Sequence, residues 1–348
     1  MSDHNQINRV VQNIVNTNNL HIKEESLMDI ENQKKLVQNV HNHNDQSVLS
    51  TMSSEELNNK NELLDVSSNE SNLNSSEEII TFKSKEKKID YSFANEYFDE
   101  VYQNLLLDEN KFYIRINNNY LSFQNSINYK MRAILVDWLM DVHYRCGMKS
   151  KTLHHCIYII DIYLSNNVID KKDFQLLGMA ALLIACKESE IIFPPLKTFL
   201  AFSSFAYTKQ ELLKMEKKIM KKLKFDILAP TAEEFFAINS EYFKFTDEQR
   251  YFGLYFLDSS LIDYNLLKYK QSTIAVACGY ITMKFFKINS VRLLFYNLSK
   301  DVNRKEVKNC ARELCYLLKT LSNSSFKAVK TKYMDEKFLK VAQLCEGN

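Results

Sequence analysis

Apolar residues recur along this chain at three- and four-residue intervals, in blocks that begin only near position 90. In MRAILVDWLMDV, residues 131–142, Met131, Ile134, Leu135, Trp138 and Val142 fall at i, i+3, i+4, i+7 and i+11. That spacing is one face of a helix, and it stops near Gly147. Further blocks predict helices over about 151–165, 172–188, 196–202 and 208–223. In the first of these, Leu153, Ile157, Ile160 and Leu164 share a face. The 172–188 block is apolar almost all round, with small residues at Gly178, Ala180, Ala181 and Ala185, which marks a central helix closely surrounded by others. Upstream, Phe93, Tyr97, Val101 and Leu105 predict a helix beginning near Asp90.

Breakers and caps divide the pattern. Pro194, Pro195 and Pro230 interrupt it. Thr208 with Glu211, Thr231 with Glu234 and Thr246 with Gln249 each place a hydroxyl three residues before an acid or amide, the pattern of a capping box. STIAVACGYITMKFF at 272–286 echoes GMAALLIACKE at 178–188, roughly 95 residues earlier. The echo predicts two copies of one helical domain, each long enough to bury its own core.

Composition strengthens the helical reading. The 348 residues include only 5 glycines and 3 prolines, too few turn formers for a β-rich fold. The first 88 residues differ in kind, being rich in Asn, Ser and Glu with no aromatic before Phe82. Positions 1–90 hold 9 basic against 15 acidic residues, a net of −6, so the remainder carries +8 within a total of +2. Such a stretch buries too little apolar surface to offset its chain entropy. It is expected to be disordered, with at most a transient helix near 5–15. The total charge argues neither for nor against nucleic acid. No signal-peptide core and no membrane-length apolar run occur. The seven cysteines form no CxxC pair and read as reduced core thiols.

Candidate chemistry is sparse. Five scattered glycines make no phosphate loop. His154, His155 and Cys156 stand at consecutive positions and so point to different helix faces, which disfavours a common metal site. KKIMKKLK at 217–224 reads as a solvated helix face. Nothing recommends a nucleophile–histidine set.

Five strings in order carry a resemblance: MRAILVDWL; YIIDIYLS at 158–165; QLLGMAALLIACKESE at 175–190; PP at 194–195; and YTKQELLKMEKKIMKKLKFDILAPT at 207–231. Together they resemble the cyclin family over about residues 90–340, and within it the mitotic A/B-type members. The resemblance implies an all-α fold of two tandem five-helix cyclin boxes. The expected division is a disordered tail (1–88), an N-terminal helix and lead-in (89–127), an N-terminal box (128–229) and a C-terminal cyclin fold (230–342).

The resemblance also implies roles. Arg132 and Asp161 match the pair that braces the box, and Leu135 a further box position. Lys187 and Glu216 match the pair that hydrogen-bonds the regulatory helix of a cyclin-dependent kinase, with Ile184, Met220, Phe225 and Ile227 as apolar kinase contacts. From periodicity alone, Lys187 and Glu216 read as solvated helix-end charges. Met131, Ile134, Leu135 and Trp138, with Gln175 and Asp141, match a patch that docks RxL-type peptides of substrates or inhibitors. Leu135 is expected to be mostly core, and Met131 and Trp138 partly exposed.

Four departures stand out. Ile162 replaces an arginine, read as the loss of one helix-surface charge. Glu188 replaces an aromatic, and Gln271 a proline. The tail lacks an RxxL or KEN motif, since Arg9 is followed three residues later by Gln12.

The expected function is a non-catalytic subunit that activates a serine/threonine kinase in the cell cycle. It would bind no cofactor, metal, nucleic acid or membrane, and would move between nucleus and cytoplasm. The alternatives are a cyclin-fold transcription protein, bound to a transcriptional kinase or to promoter DNA, and a helical scaffold that has lost kinase activation.

Overall fold

The computed structural model describes residues 94–113, 115–288 and 303–345. The expectations for residues 1–88, and for Phe93, lie outside the described residues. Within them, regular structure consists of α-helices with short 3₁₀ turns. Helix α1 (Ala94–Tyr113) leads into a first repeat of five: α2 (Tyr129–Arg145), α3 (Ser150–Asn166), α4 (Lys171–Ser189), α5 (Leu196–Phe202) and α6 (Lys209–Lys222). After Pro230 come α7 (Ala232–Tyr242), α8 (Asp247–Ser260), α9 (Gln271–Phe285), α10 (Arg304–Ser322) and α11 (Ala328–Tyr333).

Each repeat is built around its most apolar helix. α4 is buried from Leu176 to Cys186 and packs on α2, α3 and α6. α9 is buried from Ser272 to Gly279 and packs on α7, α8 and α10. Gly178 shows why small residues are needed there. A Cβ at that position would come within 2.8 Å of the Leu135 side chain. The three capping boxes form as their spacing predicts, at Thr208, Thr231 and Thr246.

Helix α1 corrects its predicted face. The buried residues are Phe98, Tyr102, Leu106 and Glu109, whereas Tyr97 and Val101 are exposed. Both stripes repeat every four residues and lie about 100° apart on the cylinder. Tertiary packing chooses between them. Phe98 meets Tyr242 at 4.1 Å between ring centroids, and Tyr102 meets Phe235 at 5.5 Å, so α1 lies on α7 of the second repeat. Tyr97 itself leaves helical geometry, with φ −108° and ψ 16°.

The repeats are joined through Asp258 of α8. Its carboxylate accepts from Lys332 Nζ at 2.8 Å and Tyr333 Oη at 2.8 Å, and lies 3.0 Å from His154 Nε2. Burial alone would raise its pKa. The Lys332 and His154 charges and hydrogen bonds outweigh that and hold it far below the usual carboxylate range. Helices α3, α8 and α11 therefore meet at one buried anion.

Candidate partner-docking site

Arg132 on α2 and Asp161 on α3 form a buried two-point ion pair. Arg132 Nε donates to Asp161 Oδ1 at 2.8 Å and Nη2 to Oδ2 at 2.7 Å, and both side chains are almost wholly covered. Tyr120 Oη donates a further bond to Oδ1 at 2.8 Å, and Arg132 Nη1 donates to the Leu261 carbonyl at 2.9 Å. Burial would weaken the guanidinium's hold on its proton, but Asp161 and Tyr120 outweigh it and hold the group charged. The brace thus reaches from the lead-in to the second repeat. Tyr120 and Leu261 are contributors that local spacing does not reveal.

The second pair lies at the surface. Lys187, at the end of α4, is 2.5 Å from Glu216 on α6. The packing of α6 along α4 brings them together. The Lys187 side chain is 41% exposed and that of Glu216 17%, so each keeps capacity for a partner's hydrogen bonds. Ile184 and Ile227 are buried, Met220 is half-buried and Phe225 is 69% exposed. Lys224 and Phe225 both have positive φ, 55° and 60°, an uncommon state for side chains of this size. Several hydrogen bonds hold the segment, two of them close to Phe225. Arg115 Nη1 donates to Asp226 Oδ2 at 2.8 Å, and Phe225 N to the Met220 carbonyl at 2.9 Å. Leu228, Ile191 and Ile192 are also exposed.

On α2, Met131, Ile134 and Trp138 are partly exposed and Leu135 is buried. Gln175, on the neighbouring α4, is partly exposed. Asp141 pairs with Arg145 at 2.9 Å, one turn on. Asn128 caps the helix by accepting from Met131 N at 3.0 Å. The lysines of 217–224 face solvent.

The departures acquire physical explanations. Ile162 is 1% exposed, so the missing arginine is a core substitution and the expectation of a surface position is corrected. Gln271 Oε1 accepts from Ala232 N at 3.2 Å, capping α7. Glu188 Oε2 lies 3.0 Å from His155 Nδ1. His154 and His155 go to different partners, Asp258 and Glu188. Among the described residues, no cluster of three or more His, Cys, Asp or Glu is placed to hold a metal ion, and no helix is long and apolar enough to cross a membrane.

Fold and site together define a two-repeat all-helical protein, with the Lys187–Glu216 ion pair at the surface where α4 ends. Residues 100–228 match the family model of the cyclin N-terminal domain, and residues 230–347 that of the cyclin C-terminal domain. The chain belongs to the cyclin family. It is 31% identical over 248 residues to a G2/mitotic-specific cyclin-B of Hydra vulgaris, covering 71% of this chain and 67% of that one. It is 33% identical over 234 residues to a G2/mitotic-specific cyclin-B of Dictyostelium discoideum, covering 66% and 53%. The chain therefore spans between about half and two thirds of these relatives' length. The crystal structure of a viral cyclin from herpesvirus saimiri superposes with a TM-score of 0.57 at 20% identity, over 64% of this chain and 100% of that one. That likeness concerns the fold.

Proposed function

We propose that this chain is a regulatory subunit that binds and activates a cyclin-dependent serine/threonine kinase, has no catalytic activity of its own, and acts at the G2/mitotic stage named for its relatives. The observation that carries the reading is the 2.5 Å Lys187–Glu216 pair at the end of α4, with Phe225 and Leu228 exposed on the segment after α6 and Ile191 and Ile192 exposed on the segment after α4. A partner helix lying there would find a donor, an acceptor and apolar surface within one footprint. Docking would press the kinase's regulatory helix inward and complete the Lys–Glu pair that grips ATP phosphates.

The partly exposed Met131, Ile134 and Trp138, with Gln175 and Asp141, would receive RxL-type peptides. Asp141 would exchange its exposed Arg145 contact, of little energetic weight, for the peptide's arginine. Residence in both nucleus and cytoplasm belongs to the same proposal.

Calorimetric titration of cell-cycle kinases with the full chain tests the interface. Glu216→Ala is expected to weaken binding at least tenfold, while Trp138→Ala leaves it intact and lowers phosphorylation only of RxL-bearing substrates. Unchanged binding by Glu216→Ala would reject the assigned interface.

A further inference from the structure

His155 lies on α3 beneath the edge just described, with its side chain 3% exposed. Its Nε2 is 2.8 Å from the carbonyl oxygen of Ile227, and its Nδ1 is 3.0 Å from Glu188 Oε2. A peptide carbonyl and a carboxylate can only accept. A neutral imidazole has one N–H and could bond only one of them, leaving the other nitrogen's lone pair facing an oxygen. The geometry is satisfied on both sides only when the ring donates twice, as imidazolium.

The surroundings suit that cation. From α4, Glu188 faces the ring; it also accepts from Ser189 Oγ and lies 3.8 Å from Lys151 Nζ. Burial would raise the Glu188 pKa, but these donors and the ring outweigh it and lower it, so the carboxylate is an anion. On its own helix the ring stacks near Tyr158, with centroids 6.5 Å apart. Lys151, also on α3, is drawn aside by Glu234 of α7 at 3.1 Å. The segment after α6 carries the compensated Arg115–Asp226 pair.

What the ring joins gives it a role. Glu188 adjoins Lys187 at the end of α4. Ile227 lies between Phe225 and Leu228, both well exposed. We infer that His155 is a positioning residue for the partner-facing edge: donating from both ring nitrogens, it ties the end of α4 to the segment after α6 and so sets the spacing between Lys187–Glu216 and Phe225. The inference rests on the proposed kinase-docking reading for its consequence, though not for the state of the ring. Loss of either tie frees that spacing, so partner affinity falls.

Two measurements test this. Nitrogen NMR of the free full-length chain, with histidine labelled, reads the ring directly. Both His155 nitrogens are expected to carry a proton in the folded chain, and a single protonated nitrogen would overturn the inference whether or not any kinase binds. Kinase affinity reads the consequence. His155→Leu removes both ties and should bind roughly tenfold more weakly than the unmodified chain, the equivalent of one charge-assisted hydrogen bond. Glu188→Gln should bind like the unmodified chain, because its amide can either accept from Nδ1 or donate to it. Affinity of His155→Leu equal to that of the unmodified chain would refute the positioning role. Absence of binding by every form would instead reject the kinase reading, leaving the NMR result to stand.

Discussion

At the scale of single residues, two buried ionisable groups control stability in opposite ways. Asp161 is an anion with its counter-charge in place. Replacing it by Asn leaves the Arg132 guanidinium buried without a carboxylate, and destabilisation of about 3–5 kcal/mol is expected. Urea unfolding of Asp161→Asn checks this. His143 is a buried base kept neutral. It lies 2.8 Å through Nε2 from the Lys149 carbonyl, and its Nδ1 has no partner among the described residues. Burial pushes its pKa down to about 3, and the Lys332 charge adds to that; the Asp258 charge opposes it. In the unfolded chain the same ring titrates near ~6.5. Between those values the unfolded state holds the extra proton, so stability declines as pH falls, by about 1.4 kcal/mol per pH unit. His143→Gln keeps the donor to Lys149 and removes the titration. The stability difference between the two forms should therefore shift in favour of the variant from pH 6 to pH 4. A constant difference would show that His143 is not the group responsible.

At the scale of elements, what was legible in the sequence divides by the distance over which each contact is made. The capping boxes at Thr208, Thr231 and Thr246 could be read because cap and partner are three residues apart. The caps on other helices could not. Glu109 of α1 accepts from Ser272 N at 2.7 Å and Ser272 Oγ at 2.6 Å, capping α9 from 163 residues away. Gln271 caps α7 from 39 residues away. The same distinction explains α1: its period was legible, but which of two adjacent stripes is buried depends on Tyr242 and Phe235, far along the chain. Glycine scarcity leaves a further mark. The residues after α5, α6, α7 and α9 include Ser204, Lys224, Lys244 and Lys287, all with positive φ, where helices commonly use glycine. Lys244 is exposed, and Phe245 N bonds back to the Ser240 carbonyl at 2.9 Å. Lys244→Gly should raise stability by about 1 kcal/mol, read as a higher denaturant midpoint at unchanged slope. A lower midpoint would mean that the lysine's strain is offset by contacts of its side chain.

At the scale of the whole molecule, the two repeats are held by buried charge as well as apolar contact. Asp258 gathers His154 from the first repeat and Lys332 and Tyr333 from the C-terminal segment, and Arg132 reaches across to Leu261. None of those partnerships is local, so none was legible. The helical repeat and the family's motif order were legible, because periodicity and spacing are local properties repeated five times. The meeting of Lys187 and Glu216 follows from how α4 and α6 pack, which no local pattern encodes. The family resemblance nominated Lys187 and Glu216, and the structure brings the two side chains to 2.5 Å. The most direct test of the central claim is the protein-kinase activity of purified cell-cycle kinases mixed with the full chain, beside a Lys187→Ala/Glu216→Ala double variant that remains folded by circular dichroism. Activation by the unmodified chain and its loss in the variant is the predicted result. Equal activation by both forms, or none by either with any such kinase, would contradict the account.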